Sequence, residues 1–332
     1  MTNGLIFRTA ATSAALMLVL SGCGGGRQEA SGGDAGQCEA GSGTMTIATG
    51  NSTGVYYVLG GGMAKLFTDK TDLTVTAAET GASVQNIEGV VKGDYDIAFS
   101  LADSATDAVE GKESFQGQQP VKALTRLYDN YTHVVVRKAS GITSVAEMKG
   151  KRISTGSPKS GTEVIAQRLL KSAGLDPAKD VTAQRLGLEQ TVSGMKDGTV
   201  DGFFWSGGLP TAAVKDVTTS MKNDVVFLDI ASLLPKMKEY SELYAEGNIG
   251  KDAYGTAADT PTIVTPNVLL VKDSFDAGNA CALTKLVHEN IEQLKTVHKS
   301  ASEIKLDNAD KTTPIPLHTG AEQAIKDLRG GS

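Results

Sequence analysis

Thr46-Ile-Ala-Thr-Gly-Asn-Ser-Thr-Gly-Val-Tyr-Tyr-Val-Leu-Gly-Gly-Gly62 reads as a strand, a tight turn and the start of a helix. Apolar and β-branched residues alternate over Met45–Thr49, which marks a strand with one buried face. Gly50-Asn-Ser-Thr-Gly54 then supplies turn residues, and the helix is expected over Gly54–Thr68. The turn also matches G-x-S-x-G, the nucleophile elbow of serine hydrolases, with Ser52 at the nucleophile position. Placement speaks against that chemistry. A hydrolase elbow follows several earlier strands, whereas this turn follows the first, and His133, His288, His298 and His318 are scattered without a turn that would present a base. Three glycines, 60 to 62, would each cost roughly 0.8–1 kcal/mol relative to Ala inside a helix. They therefore imply a bend or the close approach of another backbone.

The same grammar continues along the chain. Strands are expected at Leu73–Ala77, Tyr95–Ser100, Val121–Tyr128, His133–Lys138, Arg152–Thr155, Asp180–Arg185, Asp201–Trp205, Val225–Asp229 and Ile263–Lys272. Helices are expected at Ser83–Lys92, Ser144–Met148, Ser160–Ala173, Glu189–Lys196 and Asp276–Lys299, the last carrying an apolar stripe from Ala280 to Leu294. Such alternation indicates an α/β chain with largely parallel pairing. In open α/β sheets, ligands sit where strand C-termini meet helix N-termini. A second turn of that kind, Gly156-Ser-Pro-Lys-Ser-Gly-Thr-Glu163, follows Arg152–Thr155. It has the glycine spacing of a P-loop but Thr162 where the phosphate-binding lysine belongs. Ser160 to Glu163 also fits a capping box, Glu163 reaching back to the Ser160 amide.

Location is read from the N-terminus. Residues 1–22 carry Arg8, then an apolar run from Ala10 to Leu20 that is too short to span a bilayer. Leu20-Ser-Gly-Cys23 is the pattern at which a lipoprotein signal peptide is cleaved and Cys23 lipidated. Residues 23–43 are a Gly/Ser-rich tether. Removal of Arg8 takes the net charge from −6 to −7 (31 basic against 38 acidic residues), and no basic patch suggests a nucleic-acid partner. With aromatics at 5% and one Trp, a sugar-binding surface of stacked rings is not indicated. No Cys/His cluster has metal-ligand spacing, and no cofactor is expected. Cys38 and Cys281 could pair in an oxidising compartment, or Cys281 could be a buried small apolar residue.

Taken in order, "IATGNSTGVYYVLGGGMAKLF" (47–67), "TGASVQNIEGVVKGDYDIAFSLADSA" (80–105), "DGTVDGFFWSGGLPTAAV" (197–214) and "PIPLHTGAEQAI" (314–325) resemble the TAXI family, the solute receptors of a class of TRAP transporters. The resemblance, which also takes in 127–170, covers nearly all of Thr44–Ile325. It implies a two-domain type II periplasmic-binding-protein fold with the ligand in an interdomain cleft. Domain one would comprise 44–132 and 230–332, and domain two 133–229. The implied ligand contacts are Ser52, Thr53, Gly54 and Tyr56, then Ser83, Val84 and Gln85, then Ser100 and Asp103. Domain two would add Ser157, Ser160, Gly161, Thr162, Trp205, Ser206 and Gly207. In this fold the first strand and the C-terminal helices share a domain, which would let Cys38 and Cys281 meet.

The expected protein is a monomeric, lipid-anchored receptor, not an enzyme. It would deliver a small carboxylate or amino acid, glutamate-like, to a TRAP-type permease. The alternatives are a receptor for an ABC importer or a sensor kinase, or a secreted serine hydrolase using Ser52. No arginine is unambiguously a ligand contact. Arg126, Arg137 and Arg152 are candidates.

Overall fold

The first strand ends ahead of a turn closed by the Gly54 amide donating to the Asn51 carbonyl at 2.8 Å, and Gly54 is the N-cap of the helix that follows. A computed structural model describes residues 38–331. Residues 1–22, Cys23 and the tether as far as residue 37 lie outside the described residues.

The first half of the chain alternates β1 (Gly43–Ala48), α1 (Val55–Lys70), β2 (Leu73–Ala78), α2 (Ser83–Lys92), β3 (Ile97–Leu101) and α3 (Ala102–Glu110). A long strand, β4 (Val121–Arg137), leads to β5 (Arg152–Ser154), α4 (Gly161–Ser172), β6 (Thr182–Gln184), α5 (Leu188–Asp197), β7 (Gly202–Gly207) and α6 (Ala212–Met221). Then come β8 (Val225–Phe227), α7 (Leu234–Lys238), β9 (Ala245–Ile249), α8 (Lys251–Tyr254) and β10 (Thr260–Lys272). The chain closes with α9 (Ala277–Glu289), α10 (Ile291–Val297) and α11 (Thr319–Gly330).

The strands form one sheet in the order β2-β1-β3-β10-β4-β7-β5-β6, with β8 on β4 and β9 on β10. Pairing is parallel for β1 with β2 and β3, and for β5 with β6 and β7. The two antiparallel strands in the middle join these halves. β4 pairs with β10 through Tyr131 and changes to β7 from Tyr131 onward. One core packs Ile47, Leu59, Phe67 and Phe99 under Leu283 and Val287 of α9. Another packs Val134, Ile153, Leu169 and Phe204 with Leu234, Met237, Tyr244 and Ile263. Residues 234–263 thus sit with the second half.

Several expected elements are redrawn. The two strands expected at Val121–Tyr128 and His133–Lys138 are one. Asp129-Asn130-Tyr131 looked like a break, but these residues pair with Pro266, Thr265 and Val264. The helix expected over Asp276–Lys299 ends at Glu289 and restarts at Ile291, with Asn290 between. Ser144–Met148 contains only a 3-10 turn, Val145–Met148. The glycine triplet answers to side chains rather than to a backbone. A β-carbon on Gly60 would lie 2.4 Å from Thr49 Cγ2, and one on Gly62 2.9 Å from Val297, while Gly61 faces open space. Cys38 and Cys281 are joined by a disulfide that ties the start of the described chain to α9.

Candidate functional site

Five strand ends converge on one cavity of about 30 Å3, room for roughly two or three waters. After β1 come Gly50 and Asn51, and after β2 come Gly81 and Ala82; β3 contributes Leu101. The turn after β5 adds Ser157 and Ser160, and β7 ends there in Trp205, Ser206 and Gly207. Tyr128 and Asn130 of the linking strand β4 complete it. Three helices begin at this cavity: α1 with Val55 and Tyr56, α2 with Ser83, and α4 with Gly161 and Thr162. First-turn amides have no partner within their own helix, and each helix N-terminus carries about half a positive charge.

The lining contains no Asp, Glu, Lys, Arg or His. Its titratable groups are the phenols of Tyr56 and Tyr128, and burial raises both pKa values well above the ordinary tyrosine value. Tyr56 donates to Asn267 Oδ1, while Asn267 Nδ2 donates to the Tyr128 carbonyl (2.8 Å) and to Asn130 Oδ1 (2.9 Å). One side chain on β10 therefore fixes the floor contributed by α1 and β4. The side-chain hydroxyls of two lining residues, Tyr128 OH and Ser206 Oγ, are buried and have no protein partner, and Thr53 Oγ1, of a residue outside the lining, is in the same condition. A buried unpaired hydroxyl costs about 1–3 kcal/mol, so these groups mark where a polar partner fits.

The halves touch around this space. Asn51 Oδ1 accepts from Ser157 Oγ and the Leu188 amide, both at 3.3 Å. The Gln85 amide, at the start of α2, donates to the Lys159 carbonyl at 3.1 Å, and Lys159 Nζ pairs with Glu88 at 2.8 Å. Lys159 makes both contacts from a left-handed backbone, φ 61°. Trp205 packs on Gly54 and donates its indole N–H to Thr211 Oγ1 at 3.0 Å.

A family model described as the NMT1-like family matches residues 47–327. The chain belongs to the NMT1-like family. Solved structures of similar fold include a protein from Bordetella bronchiseptica, at 18% identity and TM-score 0.55, covering 86% of this chain and 98% of that one. Another is a binding-protein component of an ABC phosphonate transporter from Pseudomonas aeruginosa, at 12% identity and TM-score 0.54, covering 79% and 80%. A third, from Prochlorococcus marinus in complex with methylphosphonate, has 11% identity and TM-score 0.53, covering 86% and 96%. The fold of this NMT1-like chain is that of the two-domain periplasmic binding proteins.

Of the residues expected at the cleft, the structure brings Gly54, Tyr56, Ser83, Ser157, Ser160, Gly161, Thr162, Trp205, Ser206 and Gly207 onto the cavity. Six others are not in its lining. Ser52 donates from Oγ to Glu79 at 3.0 Å and stands 3.4 Å from Glu189, so its one proton serves two carboxylates. Thr53 is outside the lining, its buried Oγ1 without a partner. Val84 is core. Gln85 Oε1 accepts from the Gly81 amide at 2.7 Å, and Ser100 Oγ donates to the Leu101 carbonyl at 2.9 Å. Asp103 is fully buried and committed to Arg168 at 3.1 Å and to Tyr244. Burial and partnering, not the cleft, explain its presence.

Glu163 receives the Lys159 amide at 2.8 Å instead of that of Ser160, although Ser160 Oγ caps α4 as expected by accepting from the Glu163 amide at 3.0 Å. None of the arginine candidates lines the cavity. Arg126 pairs with Asp129 and Arg152 with Asp201. The histidines are engaged elsewhere: His133 with Tyr254, His288 with Thr125, His298 with the Pro210 carbonyl, and His318 as the cap of α11. Sequence reasoning missed three lining residues with polar side chains, Asn51, Tyr128 and Asn130, and also Gly50, Val55, Gly81, Ala82 and Leu101. Asn51 sat in the quoted turn and was legible. Tyr128 and Asn130 sat in what read as an ordinary strand end.

Proposed function

We propose that this NMT1-like chain is an extracytoplasmic solute receptor of the TAXI type, which captures a small anionic or zwitterionic solute and passes it to a TRAP-type permease. The observation that carries this reading is the convergence of three helix N-termini on a small cavity at the joint of two halves. Partial positive charge and free amides hold an anion there without an arginine. The cavity is too small to admit a ligand without its walls parting, and only β4 and β10 cross continuously from one half to the other. Binding is therefore coupled to a hinge at these strands, each state being stabilised by different contacts.

The residues on the cavity are the ligand contacts, with Asn51, Tyr128 and Asn130 added to those expected. Domain one comprises 44–131 with 265–331, and domain two 132–264, since 234–263 pack with the second half. In place of a return at residue 230, this division follows the cores. Cys23 carries the lipid that holds the receptor at the membrane. Catalysis by Ser52 has no support, because its neighbours are two carboxylates and every histidine is paired away from it.

Native mass spectrometry of the purified protein, followed by calorimetry with carboxylates and amino acids, tests the reading. A bound small anion, displaced by one member of the panel, is the expected result. Hydrolysis of an ester that is lost in Ser52→Ala would overturn it. A TRAP-type permease gene beside this one supports that partner, and an ABC importer gene in its place assigns the same receptor to the other class.

A further inference from the structure

We propose that the ligand is a short monocarboxylate with one neutral oxygen and no ammonium group, a 2-hydroxy or 2-oxo acid of about three carbons. The inference rests on the proposed receptor function and narrows it. An amino acid brings an ammonium group, whose usual buried partner is a carboxylate, and no Asp or Glu lines the cavity. The buried acids next to the lining in sequence are already held, Glu163 beside Thr162 by Arg185 and the Lys159 amide, and Asp103 near Leu101 by Arg168 and Tyr244. A dicarboxylate brings a second negative charge with no Lys or Arg in the lining to meet it. Three helix N-termini at about half a charge each balance one carboxylate and leave little for another.

Tyr128 OH and Ser206 Oγ supply the second half of the argument. Both residues are more than nine-tenths buried, both line the cavity, and both hydroxyls lack a partner. A hydroxyl can donate to a keto oxygen or accept from an alcohol, so either oxidation level of the ligand satisfies them. The rest of the lining is neutral, mixing the polar side chains of Asn51, Ser83 and Thr162 with the apolar Val55, Leu101 and Trp205. A cavity of about 30 Å3 suits a compact solute.

L-lactate and L-alanine form the decisive pair, since they differ only in a hydroxyl replaced by an ammonium group. Trp205 is the sole tryptophan of the chain and lies in the wall, so its fluorescence reports occupancy directly. Titrations of the purified protein with L-lactate, pyruvate, propionate, L-alanine and L-glutamate, checked by calorimetry, are the measurement. The expected result is that lactate or pyruvate binds at least tenfold tighter than alanine or glutamate. Tyr128→Phe and Ser206→Ala should each weaken lactate by about three- to tenfold, the loss of one hydrogen bond, and leave propionate within twofold.

Alanine or glutamate binding as tightly as lactate overturns the inference while leaving a receptor site in place. So does lactate binding that neither variant changes. Silence of all five probes, with the protein folded by its melting curve, overturns the site itself. Should Tyr128→Phe unfold, Ser206→Ala alone decides.

Discussion

Gly161 has no room for a β-carbon. One placed there would lie 2.5 Å from Leu101 Cδ1 and 2.7 Å from Ser83 Oγ, atoms of the opposite half. Gly161→Ala should therefore hold the halves apart. Its affinity for the best carboxylate of the panel should fall tenfold or more. Stability should fall as well, because α3 and α4 are also joined across the halves by Arg168 with Asp103 and Asp107. Calorimetry beside urea melts separates the two effects, and unchanged affinity would contradict a binding site between the halves. His133 acts on stability alone. Burial lowers its pKa from 6.5 to about 4. The folded state thus binds fewer protons than the unfolded chain between those values, so stability rises with pH across that window and is lost on acidification. From pH 7 to pH 5 the cost is about 2 kcal/mol. His288 adds in the same direction, and Asp107, raised to about 6 by burial, opposes. The clean reading is a difference: His133→Gln should be less sensitive to that pH drop than the parent by about the same amount.

At the scale of elements, α3 and α4 are tied together by charge. Arg168 on α4 donates to both oxygens of Asp107 (2.8 and 2.6 Å), to Asp103 at 3.1 Å and to Tyr244 at 3.2 Å, and all four residues are buried. Removing the guanidinium leaves two buried carboxylates facing one another. Arg168→Ala should cost about 3–5 kcal/mol, read from the urea midpoint. Arg168→Lys should recover only part of it, since an ammonium cannot span two carboxylates as a fork does. A midpoint unchanged in Arg168→Ala would mean that the pair contributes no net stability. This network also explains why α3 was not foreseen. Its buried residues run from Ala102 through Ala108 and are all Ala, Asp, Ser or Thr, a pattern without large apolar residues that reads as surface. By contrast β1, α1, α2 and α4 were legible, because alternation, caps and turn glycines are local.

For the whole molecule, the Cys38–Cys281 bridge spans 243 residues and anchors the start of the described chain to the C-terminal helices. Closing so long a loop stabilises by about 5 kcal/mol in the chain-entropy model. Cys281→Ser should lower the melting temperature by roughly 8 °C, measured without reductant. Reductant should do the same to the parent and nothing further to the variant. An equal melting point in both would show that packing of α9 holds the terminus without the bridge.

The sequence by itself determined the alternating α/β chain and the two turns that carry most of the cavity wall. Those signals lie within a few residues of one another and depend on backbone preference and hydrophobic period. Only the tertiary structure decided which polar side chains face the cavity and which serve the fold. Asp103 became half of an ion network with Arg168, 65 residues away, and Ser52 turned to Glu79. Tyr128 and Asn130 entered the site because β4 runs unbroken from one half to the other. Such choices depend on contacts between segments far apart in the chain, where burial and pairing outweigh local pattern, and no local pattern encodes them.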